Sequence, residues 1–207
     1  MTRILMISDI HGCLDPFNEL LEFVNYQSSN DQLIVLGDYV DRGPKSRETV
    51  DRVIDLVKNH HVIALRGNHD QRLVDLIRTD NPIVKSKFLE HGGLQTLQSY
   101  CDFINSSMDE SQFQEAIDFI RSHFITHIDF LESLPLYHED KEHIYVHAGL
   151  NPKYNNWKSS QRMISCILSR NSTAGSLLLT RQLSLDIPER LNFRNPQTSG
   201  LIKIRLG

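Results

Sequence analysis

Arg3-Ile4-Leu5-Met6-Ile7 runs directly into Ser8-Asp9-Ile10-His11-Gly12, and the reading of the whole chain starts from this junction. A short apolar run that ends in Gly and carries Ile reads as a buried strand. Asp9 and His11 then stand two apart, so in extended chain their side chains leave on one face, where a single metal ion can take both. The same arrangement recurs three times. Leu33-Ile34-Val35-Leu36 leads into Gly37-Asp38-Tyr39-Val40-Asp41-Arg42-Gly43, and Val62-Ile63-Ala64-Leu65 into Arg66-Gly67-Asn68-His69-Asp70. Ile144-Tyr145-Val146 leads into His147-Ala148-Gly149-Leu150. Functional groups of α/β proteins gather outside the carboxyl ends of the strands. Four strand ends offering Asp, His or Asn therefore point to a two-metal centre.

The intervening segments carry helical spacing. Leu14 to Tyr26 places Phe17, Leu20, Leu21 and Val24 on one stripe, with Asp15-Pro16 at its start. Ser46 to Lys58 repeats the pattern with Val50, Val53, Ile54 and Val57, and Gln71 to Ile77 continues helically from the third cluster. An order of strand, helix, strand, helix, strand favours parallel pairing through crossover helices. Asp109 to Leu134 predicts one long helix with Phe113, Ile117, Ile120, Phe124, Ile128 and Leu131 inward, Asp109 or Ser111 as cap, and Pro135 after its end. This insert would either wall the site or cover the sheet.

The chain of 207 residues can build one sizeable core. Its net charge of -4 offers no general attraction to nucleic acid polymers or to an anionic membrane surface. Met1-Thr2-Arg3 leaves no room for a signal peptide before the first strand, and no stretch has the apolar length of a membrane span. Cys13, Cys101 and Cys166 are odd in number and scattered, which fits a reducing cytoplasm, with Cys13 read as a small core residue. Nothing in the pattern fixes an oligomeric state. Residues 1–157 carry 14 Lys+Arg against 24 Asp+Glu, whereas 158–207 carry 8 against 2 and contain neither His nor Tyr. In that tail Leu177-Leu178-Leu179 and Leu201-Ile202-Lys203-Ile204 read as candidate strands.

The residue types define roles. Asp38 can bridge two ions because a carboxylate has two oxygens with lone pairs to spare. Asn68, through its amide oxygen, and His147 would serve a second ion. This mixture of carboxylate, imidazole and amide suits Mn, with Fe or Zn as alternatives. Two such ions clamp the attacking and leaving oxygens of an in-line displacement. His69 could protonate a leaving alkoxide, Asp41 would orient that imidazole, and Arg42 offers a planar fork for two phosphate oxygens. Arg66 would be a second phosphate contact or a buried partner for a carboxylate. His91, in Glu90-His91-Gly92-Gly93, would line the substrate cleft unless the glycines simply end a helix.

The series Ser8–Gly12, Gly37–Gly43, Gly67–Asp70 and His147–Leu150 resembles the phosphoprotein-phosphatase branch of the calcineurin-like metallophosphoesterases, in particular the compact bacterial serine/threonine protein phosphatases. The resemblance covers residues 1–157, read as a metallophosphoesterase domain, and leaves 158–207 as an atypical tail. It implies an α/β fold with a β-sandwich flanked by helices, and hydrolysis of phosphomonoesters by metal-bound hydroxide. Asp9, His11 and Asp38 would hold the first metal, and Asp38, Asn68 and His147 the second. His69 would be the general acid, Asp41 its partner, and Arg42 the grip on phosphate. The chain departs from the family pattern at Ser8, where glycine is usual, and at Asp70, where glutamate is more frequent. The family also supplies a further histidine after the fourth motif, but His147 is the last histidine here, so the C-terminus is expected to be replaced or truncated. His138 or His143 could stand in for it, although both lie beside the fourth strand at the end away from the site. The expected substrate is a phosphorylated protein or a small phosphoester. The alternatives are symmetrical hydrolysis of dinucleoside tetraphosphates, or an impaired remnant that binds metal or phosphate without turnover. A nucleotide needs aromatic stacking, and no aromatic pair stands among the motifs beyond Tyr39, which favours protein substrates.

Overall fold

The computed structural model describes residues 3–141 and 143–149, and the backbone of 194–195, 198–199 and 202–205. Strands β1 (Arg3–Ile7), β2 (Asp31–Val35) and β3 (Ile63–Ala64) pair in parallel, in the order β3-β2-β1. The expected parallel arrangement holds, with Arg3 opposite Asp31 and Ile7 opposite Val35. At the start of that pair the Arg3 guanidinium donates to both Asp31 oxygens at 2.8 and 2.7 Å, which holds the Asp31 carboxyl below its ordinary range.

Alternation along the strands gives the sheet two apolar faces. Leu5, Ile7, Leu33, Val35 and Ala64 join the main core with the helices, while Met6, Ile34 and Leu65 pack with Tyr145 on the other side. Helix α1 (Leu14–Phe23) buries Phe17, Leu20 and Leu21, and α2 (Ser46–His60) buries Val50, Val53 and Leu56. Helix α3 (Asn68–Arg78) begins at the third motif itself, so Asn68, His69 and Asp70 form its first turn.

Two helices, α4 (Pro82–Glu90) and α5 (Gly93–Tyr100), lie where no helical stripe was read. Asn81 caps α4 by accepting the Ile83 N–H at 2.9 Å, and Pro82 follows as its first residue. The segment expected as one helix from Asp109 is two, α6 (Glu110–His123) and α7 (Ile125–Ser133), broken at Phe124 where φ is -126° and ψ 24°. Asp109 does cap α6, exchanging hydrogen bonds with Gln112.

The fourth apolar run is β5 (Ile144–Val146). It pairs antiparallel with β4 (Tyr137–Glu139) instead of joining the main sheet. Through Tyr145 this hairpin supplies the second layer of the sandwich among the described residues. Short strands β6 (Arg194–Asn195) and β7 (Thr198–Ser199) pair with each other. Strand β8 (Ile202–Arg205), within the second stretch expected in the tail, pairs antiparallel with β1 at the sheet edge. The Leu177–Leu179 stretch and Cys166 lie outside the described residues. No helix among the described residues is long and apolar enough to cross a membrane.

Candidate metal centre

The loops that leave β1 and β2 run side by side, extending the sheet's hydrogen bonding beyond the strands. Asp9 N donates to Gly37 O, His11 N to Asp38 O and Gly12 N to Tyr39 O, at 3.1, 2.9 and 2.7 Å. This interlock holds Asp9, His11, Asp38, Asp41 and Arg42 at φ between 48° and 72°, a region that non-glycine residues rarely occupy. Such strain persists only where the surroundings over-determine it, and it concentrates at functional sites. Gly67 packs so closely that a Cβ there would lie 2.1 Å from Asp38 Oδ1 and 2.3 Å from Asp38 N. Glycine is therefore required at that approach.

Asp70 ties this corner together. Its Oδ2 accepts the N–H groups of Asp38 and Gly67, and its Oδ1 accepts that of Tyr39, all at 2.8 Å. It is fully buried, and burial together with the Asp38 charge pushes its carboxyl up to about 7 against those three donors. Among the described residues, the shorter Asp at this position thus spends its hydrogen bonds on the backbone of Asp38, Tyr39 and Gly67.

The expected ligands converge on one atom. Around Asp38 Oδ2 stand His147 Nε2 at 3.2 Å, His11 Nε2 at 3.7 Å and His69 Nε2 at 4.0 Å. Asp9 Oδ1 lies 3.7 Å from His11 Nε2, and Asn68 Oδ1 lies 3.2 Å from His147 Nε2. Ligand atoms of Asp9, Asp38 and His147 fall within 4.8 Å of one another, as do those of His11, Asp38 and His69. The two groups share Asp38. All five expected metal ligands are therefore brought together, and His69 stands beside them.

Two observations test whether these residues fit cations. His11 Nδ1 donates to Val40 O at 2.8 Å, which turns Nε2 towards Asp9 and Asp38. That nitrogen is buried without a hydrogen-bond partner among the described residues and faces the oxygens of Asp9 and Asp38. A buried ring nitrogen with no hydrogen-bond partner, facing two carboxylates across 3.7 Å, leaves a gap that a shared cation would fill. Second, burial pulls the His147 imidazole towards neutrality, but Asp38, Asp9 and Asp70 overcome it and push its pKa up to about 9. The same field, with His147 countering burial of the charge, keeps Asp38 ionised to well below the usual carboxylate range. The donor set and its field fit divalent ions.

Beside this centre His69 Nδ1 donates to Asp41 Oδ2 at 2.6 Å, and Arg42 Nη2 lies 3.3 Å from His69 Nε2. Burial lowers the His69 imidazole, partly offset by Asp41 and Asp38. Asp41 also accepts the Thr96 hydroxyl at 2.8 Å. His91, on the exposed rim, has its ring 6.1 Å from that of His69 and donates to Lys87 O at 2.8 Å.

Arg66 donates from Nη1 to Glu132 O at 2.7 Å, near the end of α7, so one of its donors caps that helix. Tyr39 is fully buried, with its hydroxyl donating to Leu65 O at 2.6 Å, and cannot stack on a nucleobase. His143 precedes β5 and lies 3.4 Å from Asp140, whereas His147 follows the strand, and the His138 ring stacks on Tyr145. The roles of Thr96 and Asp70 were missed, and their partners 55 and 31 positions away left no local signal.

A parallel sheet whose carboxyl edge gathers carboxylates and imidazoles about a shared Asp is the architecture of a metal-dependent hydrolase. The chain belongs to the calcineurin-like phosphoesterase family, which matches residues 2–175. Among curated relatives, a symmetrical bis(5'-nucleosyl)-tetraphosphatase of Nitrosospira multiformis is 28% identical over 173 residues, covering 84% of this chain and 52% of that protein. One of the same name from Pasteurella multocida is 30% identical over 150 residues, covering 72% and 45%. This chain thus spans about half the length of the curated relatives it matches. A cold-active protein-tyrosine phosphatase of a psychrophilic Shewanella shares the fold, with TM-score 0.52, 16% identity, and 78% and 47% coverage.

Proposed function

We propose that this chain is a phosphoester hydrolase that works with two divalent ions and acts on dinucleoside polyphosphates. The observation that carries the metal dependence is the grouping of Asp9, Asp38 and His147 ligand atoms within 4.8 Å of one another, with His11 Nε2 3.7 Å from both carboxylates. Asp9, His11 and Asp38 would hold one ion, and Asp38, Asn68 and His147 the other. Bound there, divalent ions act as Lewis acids on phosphoryl oxygens and make water a nucleophile near neutral pH. Manganese is the first ion to try, with iron and zinc as alternatives.

The side chains divide the remaining work. Arg42, whose fork lies beside His69, would bind and orient the phosphoryl oxygens. Asp41 holds the His69 proton on Nδ1, leaving Nε2 towards the substrate side, where a protonated imidazole would deliver its proton to the leaving oxygen. His91 stands at the rim, within reach of a longer substrate.

The curated relatives favour dinucleoside tetraphosphates over the phosphoproteins that the motifs first suggested. One observation keeps a phosphomonoester in view. An intact Asp41–His69 pair is most useful to an alkoxide, whereas a departing nucleoside diphosphate needs little help from a proton. Residues 1–157 are assigned as the phosphoesterase unit and 158–207 as a distinct tail on the ground of charge, although β8 joins that tail's end to the sheet.

The test is to incubate the manganese-loaded chain with diadenosine tetraphosphate and, separately, with a phosphothreonine peptide, using Asp38→Asn as control. Release of ADP that vanishes in Asp38→Asn supports the reading. Release of phosphate from the peptide alone replaces it with the phosphoprotein alternative, and no turnover of either substrate contradicts both.

A further inference from the structure

Asp41 is held, on the side away from His69, by a residue outside every motif. Thr96 lies on α5 and is fully buried. Its Oγ1 accepts the Asp41 N–H at 2.8 Å and donates to Asp41 Oδ1 at 2.8 Å. A hydroxyl has one proton and two lone pairs, so Ser46 Oγ, 3.2 Å away, must donate to the second lone pair. Every hydrogen-bonding position of Thr96 is then used and the direction of each bond is fixed. The grip extends to the neighbouring residue, since Arg42 N donates to Gly92 O at 2.9 Å, and Gly92 immediately precedes α5. The strained backbone at Asp41 and Arg42, with φ of 72° and 69°, is thus clamped from the α4–α5 segment.

We propose that Thr96 is a positioning residue for the Asp41–His69 pair. It fixes the Asp41 carboxylate through Oδ1, so that Oδ2 stays on His69 Nδ1 and the ring keeps Nε2 turned towards Asp38. Without that hydroxyl the carboxylate can swing towards the Arg72 guanidinium, now 3.9 Å away, and draw the imidazole off line. The inference rests on the reading of His69 as proton donor, and Thr96 acts only through Asp41.

Thr96→Val removes the hydroxyl at nearly constant volume, and Thr96→Ser keeps it. Thr96→Ala serves in place of Val if Val disturbs folding. The first readout needs neither metal nor substrate: the proton on His69 Nδ1, shielded from exchange by Asp41, gives a far-downfield resonance in the metal-free protein. The resonance should persist in Thr96→Ser and shift or broaden away in Thr96→Val. In the loaded protein Thr96→Val should lower kcat on a phosphothreonine peptide, whose leaving alkoxide needs the proton, about 10- to 100-fold, the range for lost outer-shell support. KM should stay within about three-fold, because binding does not use this contact. The loss should be larger on a phosphothreonine peptide than on p-nitrophenyl phosphate, whose leaving group needs little protonation. An unchanged resonance and kcat in folded Thr96→Val would overturn the proposal, as would Ser and Val losing activity alike. A wild-type chain that turns over no phosphoester sinks the functional reading instead, while the resonance still decides the role of Thr96.

Discussion

Removing Asp70 should unseat the corner that carries Asp38, and the structure gives the size of the effect. In Asp70→Ala three buried N–H groups, those of Asp38, Tyr39 and Gly67, lose their acceptor together. Each orphaned buried donor costs about 1–3 kcal/mol, so the sum is roughly 3–6 kcal/mol once partial relaxation is allowed. Relief of the repulsion between Asp70 and Asp38 acts in the opposite sense and favours the lower half of that range. At about 2–4 °C per kcal/mol for a chain of this size, the melting temperature should fall by roughly 6–18 °C. Asp70→Asn should sit between. Its one carbonyl can occupy the Oδ2 place and keep the Asp38 and Gly67 bonds, but its amide then meets the Tyr39 N–H donor to donor. The assay is thermal unfolding followed by circular dichroism in EDTA, which removes stabilisation by bound metal. The reasoning fails if Asp70→Ala melts with wild type, or if Asn falls as far as Ala.

Other consequences are sharper on function. His69→Asn should leave metal content unchanged and lower kcat about 10²- to 10⁴-fold on an alkyl phosphate, measured by phosphate release. Gly67→Ala places a Cβ 2.1 Å from Asp38 Oδ1, so manganese binding by calorimetry should be severely weakened; wild-type affinity would mean that the turn is looser than described. Tyr39→Phe should cost stability of about 1 kcal/mol by urea unfolding and leave KM for diadenosine tetraphosphate unchanged, because the hydroxyl serves Leu65 O from inside the core. His127, buried between Tyr100 and Asp51, is held below its ordinary value of 6.5 by burial, against the Asp51 charge. With the folded pKa below the unfolded one, its stabilising share is complete above pH 6.5 and is lost as the pH falls. Wild type should therefore lose melting temperature more steeply than His127→Gln in acid, and parallel curves would refute this.

What was legible in the sequence was chemistry written next to a strand. Asp9, His11 and Asp38 follow apolar runs within a few residues, and parallel pairing brings those runs' ends together. Asn68 and His147 were legible for the same reason, although β5 reaches the site from a hairpin outside the main sheet. Helices α4 and α5 were not. The inward face of α5 is Gly93, Thr96, Leu97, Ser99 and Tyr100, too small and polar to print an apolar stripe, and α4 buries only Phe88. The break between α6 and α7 was hidden because Phe124 continues the stripe of Ile120 and Ile128 while its backbone leaves the helix. Contacts such as Thr96 with Asp41 depend on the fold and cannot be read from spacing.

On the proposed function, one carboxylate, Asp38, joins two cation sites that this chain's own residues build. Calorimetric titration of manganese into the metal-free chain, alongside Asp38→Asn, tests it most directly. The account expects two ions per wild-type chain and a loss of both sites, or a severe weakening of them, in the variant. One ion or none in wild type, or binding indifferent to Asp38→Asn, would contradict it.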